Sequence, residues 1–333
     1  MSGDWVLIAT GRAKKPNQFA LARKPVKPPP KSTCPFENLQ KSGHGEPLLL
    51  LDSAGRETRI ERGGKDDWFV QVIPNKFPAL GEGDCSLVHL ERPFVWMEGA
   101  GFHEVVVYRN HSLQPAYFSV EELDVVLKSY QLRYRELMKK DCIEYILIFH
   151  NHGREAGASI YHPHSQIIAM PVIPPDVARS IKGSKEFYEQ YDRTCPHCAT
   201  IIGEYRTNMR LVYENDSMVA FAPFASKAAF ELRIFPKIHQ YAFEAIDDAT
   251  RRDAADALRT VLLKLAKGLN EPPYNFFIHT APVRPESFKY YHWHIEVAPK
   301  TSIWAGFELG TGVEISSVEP EKAAAYLRKI KVS

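Results

Sequence analysis

The sequence predicts an α+β fold built of two tandem repeats, each a mainly antiparallel sheet flanked by helices. Three observations predict it. The same landmarks occur twice, in the same order, along 333 residues. Runs rich in β-branched and aromatic residues have strand length and are punctuated by Pro or Gly. Each half also holds one long segment with apolar residues at helical spacing.

The first half opens its landmarks with "CPFE" (Cys34 to Glu37), then "FVQVIPNKFPAL" (Phe69 to Leu80), then "HEVVVYRNHS" ending at His111 and Ser112. A helix is expected from Val120 to about Lys140. Ser119 and Glu122 make a capping-box pair, and Leu123, Val126, Leu127, Tyr130 and Tyr134 recur at helical spacing. Strands follow in "IEYILIFH" (Ile143 to His150) and in "YHPHSQIIAMP". The second half repeats the series with "CPHC" (Cys195 to Cys198), Met218 to Phe230, and "ELRIFPKIHQ" ending at His239 and Gln240. Its helix is expected from Asp248 to Leu269, with Leu258, Leu262, Leu265 and Leu269 in register, before "YNFFIHT" and "YHWHIEVAP". His111 and His162 lie 51 positions apart, His239 and His292 lie 53 apart, and that near-equality argues for duplication over chance.

Basic residues number 42 and acidic residues 40, so net charge makes no case for nucleic acid or a membrane as partner. No apolar run reaches about 18 residues, the length of a membrane span. The first residues lack a signal-peptide layout. Five cysteines, an odd number, speak against a disulfide framework. Cytosolic thiols and a cytoplasmic location are therefore expected, with Cys85 and Cys142 inert.

The segment "NHGREAGASIYHPHSQIIAMP" (Asn151 to Pro171) carries the chemistry. On a strand, His162, His164 and Gln166 share one face. Upstream, Asn151, Gly153, Gly157 and Ser159 make a loop whose glycines let backbone N–H groups approach phosphate oxygens. A neutral imidazole is a competent nucleophile toward phosphorus, and the phosphoramidate formed remains a good donor. A metal site, or a strand of satisfied histidines, is the competing reading of an H-x-H pair. In the second half Cys195 and Cys198 form a C-x-x-C, which suits metal or redox chemistry, and the repeat places His239 and His292 beside them. A thioredoxin-like role is set aside, because an amphipathic helix is not expected after this motif.

These motifs resemble the galactose-1-phosphate uridylyltransferase family, the transferase branch of the histidine-triad superfamily. That branch carries H-P-H-x-Q after an N-x-G…G-x-S loop, matched by Asn151, Gly153, Gly157, Ser159, His162, Pro163, His164 and Gln166. Ser165 stands where better-known members have Gly. The resemblance spans nearly the whole chain. "WVLIATGRAKKP" matches the family's phosphate-contacting segment at Arg12 and Lys15, "VIPNKFPAL" its nucleotide turn with Asn75 and Phe77, and "AGFELGTG" its sugar-side loop with Phe307 and Glu308. Lys76 stands where some relatives have Asp.

The resemblance implies that His164 is the nucleotidylated nucleophile, that Gln166 holds the phosphate oxygens, and that His162 is a structural zinc ligand. It implies a first metal site of Cys34, Glu37, His111 and His162, with Glu37 replacing a second Cys. The second site would be Cys195, Cys198, His239 and His292. One or two zinc ions per chain are thus expected, and loss of the first is the competing reading. His279, His294 and Glu296 are further possible ligands. Since Glu296 replaces the glutamine, the second half reads as a degenerate copy. The expected organisation is 1–174 catalytic half, 175–193 helical connector and 194–333 degenerate half.

The activity implied is a UDP-glucose–hexose-1-phosphate uridylyltransferase, acting on a nucleotide sugar and galactose 1-phosphate by double displacement, in a homodimer. Two alternatives stand beside it: an ADP-sugar phosphorylase of the same fold, and a non-catalytic, zinc-stabilised nucleotide-binding protein.

Overall fold

The computed structural model describes residues 3–9, 11, 28–59, 67–85, 88–284 and 288–332. In chain order the first half forms β1 (Val6–Ile8), β2 (Leu49–Leu51), β3 (Val70–Pro74), β4 (His89–Glu91), β5 (Phe94–Trp96), β6 (Phe102–Tyr108), α1 (Val120–Leu137), β7 (Tyr145–His152) and β8 (His164–Met170). Then come α2 (Pro175–Gln190), α3 (Pro196–Thr207), β9 (Leu211–Glu214), β10 (Met218–Phe221), β11 (Leu232–Pro236) and α4 (Asp248–Leu269). The chain finishes with β12 (Tyr274–His279), β13 (His294–Pro299), α5 (Gly306–Thr311), β14 (Glu314–Ser316) and α6 (Pro320–Arg328).

Ten strands make one sheet in the order β2-β3-β6-β8-β7-β12-β13-β11-β10-β9, and every neighbouring pair is antiparallel. With the hairpin β4–β5 and the separate parallel pair β1–β14 set aside, each half contributes its strands from the outer edge inward as first, second, third, fifth, fourth. The duplication read from sequence is therefore written in the sheet. The halves meet along β7 and β12, where Phe149 lies opposite Phe277.

Alternation along the strands sorts residues between two faces. Val106, Tyr108, Ile167 and Ala169 join the main core with α1 and α4, whereas Val105 and Val107 pack on the other face with Phe36 and Leu39. The long helices begin as their caps predict. Ser119 Oγ accepts from Glu122 N at 3.1 Å while Glu122 returns a bond to Ser119 N, and Asp247 caps α4 through Thr250 N at 2.8 Å. Arg251 of α4 donates to Asp124 of α1 at 2.8 Å, which clamps the two helices together across the seam. Among the described residues no helix is long and apolar enough to cross a membrane.

Two expectations are corrected. A helix does follow the C-x-x-C motif: α3 starts inside it, with Pro196 at its first position, and Ile201 buries against Val219, Phe221 and Phe235. Cys85 and Cys142 are not free thiols but a disulfide, 57 positions apart. The fold brings the segment after the 75–80 turn against the turn that follows α1, a proximity that sequence spacing does not reveal.

Candidate active site and metal centres

His162 and Pro163 lead into β8, whose first residue is His164. Its ring is 7 % exposed and meets the edge of Phe36 at 5.1 Å between centroids. Nδ1 lies 2.9 Å from the carbonyl oxygen of His162. A carbonyl only accepts, so Nδ1 carries the proton and Nε2 keeps a free lone pair. Burial pushes the pKa of His164 below the ordinary range, opposed in part by that same hydrogen bond, so the ring is neutral near pH 7.

Gln166, two residues on, shares this face. Its Oε1 accepts from His103 Nε2 at 2.8 Å, and His103 Nδ1 accepts from Ala79 N at 3.0 Å. The carbonyl end of the amide is thereby occupied and the NH2 end is the one left to face a ligand. Asn75 closes the adjoining turn by accepting from Phe77 N at 2.9 Å. Phe77 is 81 % exposed, so it presents a ring at the surface, not a buried stacking wall. Sequence reasoning passed over His103. The available signal was strand register: Val105 lies opposite Gln166, so His103, two positions away, emerges on the same face.

The loop upstream has the backbone its glycines predict. Gly153 (φ +84°) and Gly157 (φ +90°) bracket a single 3-10 turn, Arg154–Ala156. Gly157 and Ser159 are exposed. Asn151 Oδ1 accepts from Asn275 Nδ2 at 2.7 Å, and that amide also donates to Ala156 O at 2.8 Å. Arg12 and Lys15 lie outside the described residues. The hydrogen bonds of Phe307 and Glu308 are local to α5: Phe307 O accepts from Thr311 Oγ1, and Glu308 accepts from Ala305 N.

Two metal-ligand groups converge. Cys195, Cys198, His239 and His292 place their ligand atoms within 4.8 Å of one another, and so do Cys34, His111 and His162. Glu37 joins the latter, with Oε1 3.0 Å from His111 Nδ1 and 3.6 Å from His162 Nδ1. The outer nitrogens decide the fit. His162 Nε2 donates to Tyr108 O at 2.6 Å and His111 Nε2 donates to Pro29 O at 2.9 Å. Both Nδ1 lone pairs then face the carboxylate, that of His162 also lying 3.5 Å from Cys34 Sγ, and Glu37 Oε1 and His111 Nδ1 are buried without a hydrogen-bond partner among the described residues. A proton or a cation between them reconciles acceptors turned toward one another, and a carboxyl, a sulfur and two imidazoles are a donor set suited to zinc. In the second group Cys198 Sγ sits 3.4 Å from His239 Nδ1 and 3.5 Å from His292 Nδ1. The hydrogen bond between the two thiols pulls Cys195 far down and pushes Cys198 up.

The second half holds a counterpart of the His164 position in different surroundings. His294 repeats the tautomer arrangement, with Nδ1 3.1 Å from His292 O. Glu296 stands where Gln166 does, and opposite it Arg233 replaces Val105. Glu231 takes the place of His103. Arg233 bridges Glu231 at 3.0 Å and Glu296 at 3.2 Å, filling the face with an ion network. Burial alone would raise the Glu296 carboxyl, but the Arg233 charge holds it below the usual range. His279, His294 and Glu296 also form a three-ligand group, with Arg233 already on the carboxylate.

Comparison with known proteins agrees with this architecture. The model of a domain of unknown function, DUF4921, matches residues 96–330. An ADP-glucose phosphorylase of Arabidopsis thaliana is 33% identical over 100% of this chain and 92% of its own length. A galactose-1-phosphate uridylyltransferase of Thermotoga maritima is 28% identical over 100% of this chain and 97% of its own. The crystal structure of an Arabidopsis thaliana ADP-glucose phosphorylase with bound ADP-glucose superposes with a TM-score of 0.80 at 31% identity, covering 96% of this chain and 98% of that one. With the duplicated sheet and the H-P-H-x-Q strand in place, the chain belongs to the galactose-1-phosphate uridylyltransferase family of the histidine-triad superfamily.

Proposed function

We propose that this protein is a nucleotidyltransferase that carries a nucleoside monophosphate from a nucleotide sugar on His164. The observation that supports it is the fixed tautomer of His164, whose Nε2 is unprotonated and whose ring is neutral. Nε2 attacks the α-phosphorus, the bond from that phosphorus to the bridging oxygen breaks, and glucose 1-phosphate leaves. The ring, now substituted at Nε2 and still protonated at Nδ1, is cationic, and the His162 carbonyl stabilises it. An acceptor oxygen then attacks phosphorus, the P–N bond breaks, and neutral His164 returns. Gln166 NH2 and the backbone of the 151–159 loop donate to the phosphoryl oxygens as charge develops.

Zinc held by Cys34, Glu37, His111 and His162, and by Cys195, Cys198, His239 and His292, would supply rigidity. On this reading residues 1–174 are the catalytic half, 175–193 the connector and 194–333 the degenerate half. Arg12 and Lys15 supply further phosphate contacts. Phe307 and Glu308 serve the sugar side across a homodimer.

Two donor and acceptor pairs suit this chemistry. UDP-glucose with galactose 1-phosphate gives uridylyl exchange, the reaction named for most of the relatives. ADP-glucose with orthophosphate gives phosphorolysis, favoured by the higher identity to the Arabidopsis phosphorylase. Incubation with either nucleotide sugar, labelled at the α-phosphate, tests both. Acid-labile, alkali-stable label on the chain, absent from His164→Ala, is the expected result. Label from UDP-glucose alone selects uridylyl transfer and label from ADP-glucose alone selects phosphorolysis. No label from either leaves the zinc-stabilised binding protein.

A further inference from the structure

We infer that His103 is a positioning residue for this transfer: its Nε2–H holds the carbonyl of Gln166 so that the amide NH2 faces the phosphoryl group. The inference rests on the reading of His164 and Gln166 given above and adds to it a residue that no motif marks.

A primary amide has a donor end and an acceptor end of nearly the same shape. Offered to a phosphate, the NH2 end attracts and the carbonyl end repels, so an unanchored glutamine spends time the wrong way round. His103 removes the choice. Ala79 N can only donate, and it donates to Nδ1 at 3.0 Å; Nε2 must then carry the ring proton, which points at Gln166 Oε1 2.8 Å away. Burial keeps the imidazole below its ordinary pKa and so in this single-proton form. The groups facing it from the turn and from β8 are uncharged: Asn75, whose Nδ2 lies 3.0 Å from Nε2 and 3.4 Å from Nδ1, the Ala79 N–H and Gln166. One ring thus ties the 75–79 turn to the phosphate-holding amide.

The other half supplies a contrast made by the same fold. Where the first half has His103 and Gln166, the second has Glu231 and Glu296, two carboxylates tied to Arg233. A carboxylate at the glutamine position cannot offer N–H to phosphate at all, and at the histidine position it cannot donate to an amide carbonyl. Both members of the pair are changed together.

Two isosteres separate the two jobs of the ring. His103→Gln keeps a donor near Nε2, toward Gln166, whereas His103→Asn keeps an acceptor near Nδ1, toward Ala79, and His103→Leu keeps neither. Single-turnover loading of His164 from the donor that labels the wild type is the readout. We expect His103→Gln within about threefold of wild type. We expect His103→Asn and His103→Leu to load about 10- to 100-fold more slowly at saturating donor, with the half-saturating concentration changed less than about threefold, somewhat less than loss of a whole oxyanion donor. Loading by His103→Asn at the wild-type rate assigns the ring to the turn and overturns the inference. So does His103→Gln as slow as His103→Leu, or an effect confined to half-saturation. Imidazole 15N spectra of the unmodified protein give an independent reading, in which a proton on Nδ1 instead of Nε2 also overturns it. Should the wild type take no label from either sugar, the functional reading falls, and this inference with it.

Discussion

Ser165 faces away from the proposed chemistry, toward α1. Its hydroxyl lies 2.5 Å from Tyr108 OH, 2.6 Å from Tyr130 OH and 3.1 Å from His150 Nδ1, all buried. Family resemblance marks this position as one where glycine is common, and the structure gives the serine a use: it fastens the peptide between His164 and Gln166 to the core. Tyr108 and Tyr130 also bond each other at 2.8 Å, so His150 is the group with most to lose. Ser165→Ala should lower stability by ~1–3 kcal/mol, the cost of stranding buried polar groups, and should leave His164 able to accept label. An unchanged urea midpoint would sink this account. His164 and Gln166 were legible in the sequence because they are two residues apart on one strand. Ser165's network and His103 were not, because their partners come from β6, α1 and the 75–79 turn, tens of positions away.

Among the elements, the long helices were the most legible. The Asp248 to Leu269 segment has the predicted limits, and the first helix ends at Leu137, within one turn of the expectation. Their caps and apolar faces are local properties. The α3 helix was hidden because its buried face depends on β10 and β11. The first metal group was half legible: Cys34, His111 and His162 match the ligand positions that the family resemblance implies, but only the fold shows Glu37 Oε1 turned onto both Nδ1 atoms. Metal analysis of the protein as isolated should therefore find two zinc ions per chain. Glu37→Ala should reduce the count toward one and Glu37→Cys should keep it at two. Equal content in Glu37→Ala and wild type would remove Glu37 from the ligand set.

At the scale of the whole molecule, the disulfide and the sheet seam carry long-range order. Cys85 and Cys142 close a loop of 57 positions between the region after the 75–80 turn and the end of α1. Cys85→Ser should cost about 2–4 kcal/mol in denaturant unfolding under non-reducing conditions. Dithiothreitol should shift the wild type by the same amount and the variant not at all; a variant that responds to the reductant would contradict the pairing. The seam is a different kind of tie. Asn275, from the second half, holds both Asn151 and Ala156 of the proposed phosphate loop, and a Cβ at Gly153 would sit 2.8 Å from Pro273 Cβ. On the proposed division of labour the second copy is free to lose its own chemistry but not its shape along β12, because that strand is part of the mould in which the first copy's loop is cast. A chain shortened to its first half would keep every residue of the H-P-H-x-Q motif and lose the wall that gives the loop before it its form.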